Sequence, residues 1–373
     1  MGEVRKTFGL AGVTAGSTAL CMVGKEGAGL AYRGYNIADL VEHSNFEEVA
    51  YLLLHGKMPT RAELDAYIAK LKSLRRLPDE LKTVLEMIPQ DAHPMDVQRT
   101  GVSFLGNIEA EGDFSNQADT ADRLFASLPS MLLYWHRFHT DGVRIDTATD
   151  DDSVAGHFLH MLHDKPSSEL HRKCLDTTLI LYAEHEFNAS TFTGRVITGT
   201  LSDMHSAVTG AIGALRGPLH GGANEAAMEL IQQFPTAEKA TAGVLSMLGR
   251  KELIMGFGHR VYTTSDPRNA VNKKMSRTLA EENGDMTLYE VSEAVENVMW
   301  DEKKLFANAD FFAASVYHFI GIPTYLFTPI FVCSRITGWA AHVMEQRANN
   351  KLIRPAADYI GPGLQTYVSI DER

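Results

Sequence analysis

The stretch from Gly210 to Asn224, GAIGALRGPLHGGAN, ends an apolar run rich in alanine and glycine and then turns around a single histidine. Pro218 stiffens the entry to the turn, and glycines on both sides of His220 remove Cβ atoms that would obstruct a ligand. The stretch therefore predicts a helix followed by a loop built around His220. Alone, it leaves two interpretations open: a residue that works on a substrate, or a histidine that fills a turn.

Outward from this turn, helical periodicity dominates the chain after Phe46. Thr60 with Glu63, and Thr287 with Glu290, have the spacing of capping boxes before apolar-periodic segments. The N-terminal stretch STALCMVGKEGAGLAYRGYNI alternates like a small β-hairpin. Because no βαβ rhythm is present, the sequence predicts an all-α fold with a small N-terminal hairpin. Long helices are predicted over 168–187, 190–215, 236–250, 287–304, 310–320 and 329–349.

Two breaks along the helical array suggest a division into domains. Gly217-Pro218 and Gly321-Ile322-Pro323 bracket a block that can move as a unit on the rest of the chain. We therefore predict a small mobile domain over residues 217–324. Residues 1–216 and 325–373 form the predicted large domain, which holds both chain ends.

Composition excludes several classes of protein. The 373 residues include 35 Lys and Arg against 47 Asp and Glu, a net charge of −12 that disfavours binding to nucleic acid or anionic membranes. No apolar run approaches the roughly 20 residues that would span a bilayer. The three cysteines, Cys21, Cys174 and Cys333, are far apart and are expected to be reduced thiols. No secretory signal is recognisable, so a cytoplasmic location is expected.

Most of the histidines are predicted to be structural. His157, His160 and His163 follow one another at three-residue spacing, which does not keep side chains on one helical face. No H-E-x-x-H pattern completes a metal site beside them. His136 and His139 receive the same interpretation, and no metal site is predicted.

A second loop, KELIMGFGHRVYTTSDPRN, places His259 after two glycines and Arg268 after a proline-marked turn. Its basic residues give local positive charge in an acidic protein, which suits a phosphorylated ligand. Asp310 opens an apolar helix, where helix capping and general-base chemistry are both open. Arg335 lies on an apolar helical face and needs an anionic partner, either a structural carboxylate or a ligand. His185 ends a predicted apolar helix and alone is taken as structural.

Six motifs in register carry a family resemblance. EHEFNASTFTGRV, GAIGALRGPLHGGAN, GFGHRVY with DPR, NAD, SRITGW and IRP together resemble the citrate synthase family from end to end. Segments such as YRGYNIADL and HPMDVQRTGVS resemble most its bacterial 2-methylcitrate synthase branch. The resemblance implies a two-domain helical fold, closure of the small domain over substrate, and a homodimer.

The resemblance also implies a reaction and a catalytic trio. Asp310 would remove a proton beside the thioester of an acyl-CoA, and His220 would stabilise the enolate. His259 would polarise the oxaloacetate carbonyl and protonate the new alkoxide. Hydrolysis of the adduct would then release CoA, with no cofactor required.

Binding residues follow from the same motifs. The resemblance implies that four residues bind oxaloacetate, the last reaching the partner subunit's site: His185, Arg268, Arg335 and Arg354. It places coenzyme A contacts on a loop comprising Leu253, Ile254, Met255, Gly256 and Phe257. Further candidates for phosphate contact, with solvated surface charge as the alternative, are Arg61, Lys303 and Lys304.

The leading hypothesis is condensation of propionyl-CoA with oxaloacetate and water to 2-methylcitrate and CoA, with acetyl-CoA also accepted. The alternatives are a dedicated citrate synthase, a non-catalytic module that binds CoA esters, and a helical metalloprotein. One methylene separates propionyl from acetyl, a difference worth about 1 to 3 kcal/mol in an apolar pocket. The residues expected to line that pocket are Tyr182, Ala309 and Phe331.

Overall fold

The computed structural model describes residues 10, 12–24 and 29–373. The described chain is helical along most of its length, which confirms the predicted all-α class. The helices are α1 (Ile37–His43), α2 (Phe46–His55), α3 (Arg61–Ser73), α4 (Asp79–Met87), α5 (Pro94–Ile108), α6 (Gln117–Asp141), α7 (Val154–His163), α8 (Glu169–Tyr182), α9 (Ala189–Gly199), α10 (Met204–Leu215), α11 (Ala223–Ile231), α12 (Ala237–Gly249), α13 (Pro267–Asn283), α14 (Thr287–Lys303), α15 (Ala309–Phe319) and α16 (Phe327–Ala348).

The predicted hairpin is present and has a third strand. Strands β1 (Cys21–Val23), β2 (Leu30–Tyr32) and β3 (Tyr35–Asn36) form an antiparallel sheet in that order. Cys21 pairs with Tyr32, and Ala31 pairs with Asn36. Residues 25–28, which the sequence placed inside the hairpin, lie outside the described residues.

Three details of the predicted helices are wrong. The segment 190–215 is two helices, because Asp203 begins α10 by accepting the Ser206 N–H at 2.8 Å. The segment 168–187 stops at the end of α8, Tyr182. Thr287 does not cap α14: its N–H instead donates to Asp285 Oδ1 at 2.9 Å, and Met286 holds the cap position. The capping box of Thr60 and Glu63 is confirmed.

The core runs through the long helices. Almost all residues in the middle of α6 and α16 are buried. Their apolar side chains pack against each other and against the neighbouring helices. Helix α13 packs along α15, and α9 packs along α10 and α16. The division into domains at 217 and 324 stays a prediction. No helix in the described ranges combines the length and apolar character needed to cross a membrane.

Two buried carboxylates support helix starts far from the predicted active site. Asp176 Oδ1 accepts the N–H of Phe46, the first residue of α2, at 3.1 Å. Glu47 Oε1 accepts the N–H of Val154, the first residue of α7, at 2.6 Å. Burial, followed by the nearby Asp176 charge, raises the pKa of Glu47, and burial raises the pKa of Asp176. The pair therefore holds protons that the unfolded chain releases.

This pair predicts a pH dependence of stability. Because the folded-state pKa of Glu47 is raised, its contribution is complete below the ordinary glutamate pKa and is lost as pH rises through the raised value. Glu47→Gln keeps an oxygen for Val154 but cannot ionise. Between about pH 5 and pH 8, we expect the wild type's free energy of unfolding to fall further than that of E47Q. The difference between the two decreases should be on the order of 1 kcal/mol. Urea denaturation measures this, with the exposed Glu42→Gln as control; parallel wild-type and E47Q curves would contradict it.

Candidate active site

His220 lies in the turn between α10 and α11, and its Nε2 faces the start of α9. The backbone N–H of Ser190 donates to Nε2 at 3.1 Å, and the Ser190 Oγ lies 2.9 Å from the same nitrogen. A backbone N–H can only donate, so Nε2 is an acceptor and a neutral His220 carries its proton on Nδ1. Trp339 Nε1 donates to Ser190 Oγ at 3.1 Å and secures this arrangement from α16. The Nδ1–H is left as a donor for a ligand.

The glycines around His220 shape the turn itself. Gly222 has φ +82° and begins α11 in the left-handed region, where a side chain would be strained. A Cβ at Gly221 would collide with the Leu215 carbonyl oxygen. Close packing within the turn is therefore one reason for this glycine pair.

His259 has the opposite tautomer for the same kind of reason. Its Nδ1 accepts the backbone N–H groups of Val261 at 3.0 Å and Tyr262 at 3.2 Å. A neutral His259 therefore carries its proton on Nε2. The loop is fixed by Gly258, whose N–H donates to the Phe306 carbonyl at 2.8 Å. A second histidine of defined tautomer is thus available as a donor.

His185 lies beside His259, and Tyr262 contacts both residues. The His185 and His259 rings lie 5.1 Å apart between centroids, with their planes at 65°. The Tyr262 ring packs on His259 at 4.6 Å, and its hydroxyl lies 3.2 Å from His185 Nε2. His185 follows the end of α8 and is 8% exposed. The structure thus brings this histidine into the site.

Asp310 is in the first turn of α15 but does not cap it. The cap is Asn308, whose side chain accepts the Asp310 N–H at 3.0 Å. Capping therefore does not explain Asp310. The Tyr182 hydroxyl lies 3.1 Å from Asp310 Oδ1 and 3.0 Å from the Ala309 carbonyl. Burial raises the pKa of Asp310, while Arg268 opposes the rise. A carboxylate with raised proton affinity suits a general base.

Two buried guanidiniums face the same region. Arg268 is 6% exposed and bonds Asp266 through Nε at 2.9 Å and Nη2 at 2.7 Å. Arg335 is 3% exposed, and its Nε donates to the Tyr182 carbonyl at 2.6 Å. Buried guanidiniums with donors to spare suit a carboxylate ligand.

The imidazoles are electrically neutral in this environment. Burial, reinforced by the charge of Arg335, lowers the pKa of His220 to about 4. Burial, reinforced by Arg268, lowers the pKa of His259 to about 4. Burial and the same two arginines lower the pKa of His185. Neutral rings near pH 7 can donate from one nitrogen without adding charge.

Direct contacts or shared partners thus join five of the seven predicted catalytic and oxaloacetate-binding residues: His185, His259, Arg268, Asp310 and Arg335. His220 is close enough for the charge of Arg335 to act on it. Arg354 is the exception: it is exposed, in a segment without helix or strand after α16. The expected acyl-pocket residues also adjoin, because the Tyr182 and Phe331 rings lie 3.8 Å apart between centroids and Ala309 is buried beside them.

The predicted coenzyme A loop is next to this site. Phe257 pairs with Ala307, and the Asn308 N–H donates to the Gly256 carbonyl at 2.9 Å, which ties the loop to the start of α15. At Gly256, φ is +89°, and a Cβ would lie 3.0 Å from the Phe311 ring. Leu253 is 81% exposed, whereas Ile254 is buried. Met255 is half-buried between them.

The three further basic candidates have different positions. Lys303 and Lys304 end α14, just before the segment that pairs with the loop, so they are near it. Arg61 begins α3, which packs against α2 and α6, and its exposed guanidinium is 3.9 Å from Asp65. The contacts of α3 in the described chain do not bring Arg61 to this loop.

The predicted structural histidines have structural partners. The His157 ring nitrogens lie 3.0 Å from Ser130 Oγ and 3.1 Å from Thr149 Oγ1. His163 Nε2 donates to the Ile320 carbonyl at 3.0 Å. Within residues 10, 12–24 and 29–373, no group of three or more His, Cys, Asp or Glu side chains is arranged to hold a metal. The absence of a metal from the working protein stays a prediction.

The residues that orient the site were not predicted from the sequence. Ser190 and Trp339 lie within the quoted motifs EHEFNASTFTGRV and SRITGW, but neither was given a role. Tyr262 and Asp266 were not singled out. For Asp266 a signal exists, because Asp followed by Pro267 is a typical helix start. For Ser190 and Trp339 no local signal exists, since their partners are 30 and 149 residues away in sequence.

Comparison with known proteins assigns this chain to one family. A family profile described as "Citrate synthase, C-terminal domain" matches residues 9–356. The structure of citrate synthase from Thermotoga maritima, 34% identical, superposes with a TM-score of 0.87 over 98% of this chain and 99% of that one. The protein belongs to the citrate synthase family, as its motifs predicted.

Individual relatives refine the comparison. A 2-methylcitrate synthase of Shewanella oneidensis is 63% identical over 365 residues, 98% of this chain and 97% of the relative. Citrate synthase 2 of Bacillus subtilis is 42% identical over 371 residues, 98% and 99% of the two chains. A Thermoplasma acidophilum citrate synthase, solved with carboxymethyl coenzyme A and oxaloacetate, is 31% identical with a TM-score of 0.90 over 97% and 98%.

The two imidazole tautomers can be measured directly. In ¹⁵N-histidine spectra at pH 7, we expect His220 to be neutral with the proton on Nδ1, and His259 neutral with the proton on Nε2. Both should protonate only near pH 4. His220→Gln and His259→Gln identify the signals by their loss. A His220 signal from an Nε2–H tautomer, or from an imidazolium at pH 7, would contradict the geometry.

Proposed function

We propose that this protein condenses propionyl-CoA with oxaloacetate and water to give 2-methylcitrate and CoA, and that it also accepts acetyl-CoA to give citrate. The observation that carries the proposal is that a desolvated carboxylate, Asp310, and two imidazoles of opposite tautomer, His220 and His259, all lie within the influence of the buried guanidiniums of Arg268 or Arg335. Each group suits one proton or charge in a single condensation.

In the first step Asp310 takes a proton from the acyl carbon next to the thioester. The electron pair of that C–H bond moves toward the thioester oxygen, and the Nδ1–H of His220 hydrogen-bonds the enolate oxygen. The neutral imidazole can donate this hydrogen bond because the Ser190 N–H occupies Nε2, which leaves the ring proton on Nδ1. Burial of Asp310 raises its pKa, which increases its strength as a base.

In the second step the enolate carbon attacks the ketone carbon of oxaloacetate. The Nε2–H of His259 hydrogen-bonds the ketone oxygen, which becomes an alkoxide and takes that proton. Water next attacks the thioester carbonyl of the adduct and the C–S bond breaks, so that the thiolate of CoA takes the proton held by Asp310. Of the two protons of the water, one restores His259 and the other is released as the new carboxyl group ionises. We propose that no cofactor takes part, because a carboxylate, two imidazoles and the arginines supply the base, the donors and the positive charge.

Two buried arginines favour a dianionic ligand although the protein as a whole is acidic. Arg268 and Arg335 are buried, and each keeps guanidinium N–H donors that its bonds to Asp266 or to the Tyr182 carbonyl do not use. The two carboxylates of oxaloacetate would accept from these spare donors, with His185 as a further donor. The Thermoplasma relative solved with oxaloacetate and a coenzyme A analogue supports this pair of substrates.

We propose that the acyl part of the substrate lies against Tyr182, Ala309 and Phe331. The Tyr182 hydroxyl is 3.1 Å from Asp310 Oδ1, so the pocket adjoins the base. The CoA part would follow the loop from Leu253 to Phe257, with Lys303 and Lys304 near the phosphates. The Shewanella relative supports propionyl-CoA, and the Bacillus relative supports the alternative, a dedicated citrate synthase.

We propose a homodimer in which Arg354 completes the partner's site. After α16 the chain has little regular structure, and its large apolar side chains are exposed, with Ile360 at 92% and Tyr359 at 79%. Exposure of these apolar side chains to water is costly unless another surface covers them. A second copy of the chain that binds this C-terminal segment would also bind the guanidinium of Arg354.

We further propose that residues 217–324 close over bound oxaloacetate and exclude water until the carbon bond forms. His220 and His259 are in this block, whereas His185 and Arg335 are outside it, so closure would complete the site. The three cysteines are free thiols, which supports a cytoplasmic location.

Substitution of the base tests the mechanism. Asp310→Asn keeps an acceptor for Tyr182 but removes the basic oxygen, so kcat for CoA release should fall by at least about 100-fold. Oxaloacetate affinity by calorimetry should stay close to the wild-type value. The exposed Asp301→Asn is the matched control. Undiminished turnover in D310N would contradict the assigned base, and a wild type that only binds CoA esters would indicate a non-catalytic module.

The choice of acyl group is settled by thiol-release kinetics with oxaloacetate. We expect kcat/KM for propionyl-CoA to exceed that for acetyl-CoA by about 10-fold or more, the discrimination one methylene allows. Identification of 2-methylcitrate by mass spectrometry completes the test. A preference for acetyl-CoA would favour the dedicated citrate synthase. Treatment with a chelator should leave both rates unchanged, and a loss of activity would favour the metalloprotein.

The shared site is tested by mixing two inactive variants. Asp310→Asn and Arg354→Ala should each be inactive as homodimers. After subunit exchange at equal amounts, half of the dimers are mixed, and each of these has one intact site. Activity should therefore recover to about a quarter of the wild-type value. No recovery, although mass spectrometry shows mixed dimers, would contradict an Arg354 that crosses to the partner.

A further inference from the structure

Asp266 is a buried carboxylate whose partners come from two parts of the proposed site. It lies directly before α13 and is 3% exposed. Its Oδ1 accepts the Arg268 N–H at 3.0 Å and the Arg268 Nε–H at 2.9 Å. Its Oδ2 accepts the Arg268 Nη2–H at 2.7 Å and the Ala309 N–H at 3.0 Å. One carboxylate thus bonds the arginine assigned to oxaloacetate and the backbone next to the assigned base.

The contacts with Arg268 select one edge of its guanidinium. Asp266 takes the Nε and Nη2 edge in a fork-to-fork pair, the geometry with the strongest orientational preference. This leaves the Nη1 side for a ligand carboxylate. The Tyr262 ring, 5.9 Å from the guanidinium carbon, packs on the same group. Arg268 is therefore held in one orientation before substrate arrives.

The contact with Ala309 fixes the start of α15. The peptide groups on both sides of Ala309 are held, because Asp266 accepts its N–H while Asn272 Nδ2 at 2.7 Å donates to its carbonyl oxygen. The Tyr182 hydroxyl reaches the same oxygen at 3.0 Å. Asp310 is the next residue, so the position of its carboxylate depends on these bonds.

We propose that Asp266 is a positioning residue that couples the oxaloacetate-binding arginine to the base, by bonding Arg268 and the backbone next to Asp310 with one carboxylate. This inference rests on the proposed function of the site. It also gives Asp266 an electrostatic effect on Asp310, since two carboxylates in one buried site disfavour each other's ionised form.

The charges around Asp310 set the direction of that effect. The groups that act on it are Tyr182 from α8, Arg268 and Asp266 at the start of α13, Tyr317 from α15, and Arg335 from α16. Among them, the charge of Asp266 raises the pKa of Asp310, and it also raises the pKa of His259. Removing this charge should lower both pKa values, and the acid limb of kcat/KM should move to lower pH.

The competing explanation is that Asp266 merely caps α13. Asp266→Asn distinguishes a capping role from a positioning role, because asparagine is an equally good cap but carries no charge. We expect kcat/KM for oxaloacetate to fall about 10- to 100-fold, as misplacement near reacting atoms does. The acid limb of the pH profile should move to lower pH. Asp203→Asn, at the cap of α10, is the matched control and should leave kcat/KM and the profile unchanged.

A second variant covers the case in which D266N does not fold. Asp266→Glu keeps the charge but moves the carboxylate by one methylene, so the acid limb should stay in place while kcat/KM still falls. Wild-type kcat/KM and an unmoved acid limb in a folded D266N, or wild-type kcat/KM in D266E, would overturn the proposal. If the wild type and D203N release CoA normally in those experiments, the proposed function stands. If the wild type itself does not condense the substrates, the proposed function fails instead.

Discussion

The site depends on backbone N–H groups that determine which nitrogen of each imidazole carries a proton. Ser190 donates to His220 Nε2, whereas Val261 and Tyr262 donate to His259 Nδ1. These bonds come from the start of α9 and from the loop before α13, so the helix packing that orients them also defines the chemistry. Because the rings are partly buried near arginines, their neutral form is favoured near pH 7, and each then donates from one nitrogen.

Charge balance explains the rest of the arrangement. Arg268 and Arg335 are buried, and the described residues around them include Asp266 as a firm partner for the first and a backbone carbonyl for the second. Spare donors on buried guanidiniums favour a dianion over a neutral ligand. The same burial raises the pKa of Asp310, so the carboxylate is a stronger base than an exposed aspartate. Substrate recognition and base strength thus share one physical cause.

Sequence predicted the fold class, the helix starts with strong caps and the residues that carry distinctive motifs. His220 and His259 stood out because glycines surround them, and the motifs in register identified Asp310 and His185, which spacing alone left ambiguous. The break between α9 and α10 was missed because Thr200 to Asp203 contains no glycine or proline. Ser190, Trp339 and Tyr262 were not assigned because their roles depend on contacts between distant segments. Tautomers lie beyond any sequence pattern, because they depend on which backbone N–H faces the ring.

The most direct test of this account is a crystal structure of the protein with oxaloacetate and a non-reactive acyl-CoA analogue. We expect His220 Nδ1 to lie about 2.7 to 3.2 Å from the oxygen in the thioester position, and His259 Nε2 at a similar distance from the ketone oxygen. An Asp310 carboxylate oxygen should face the carbon that loses its proton. A complex in which His220 presents Nε2 to the analogue, or in which Asp310 faces away from that carbon, would contradict the central claim.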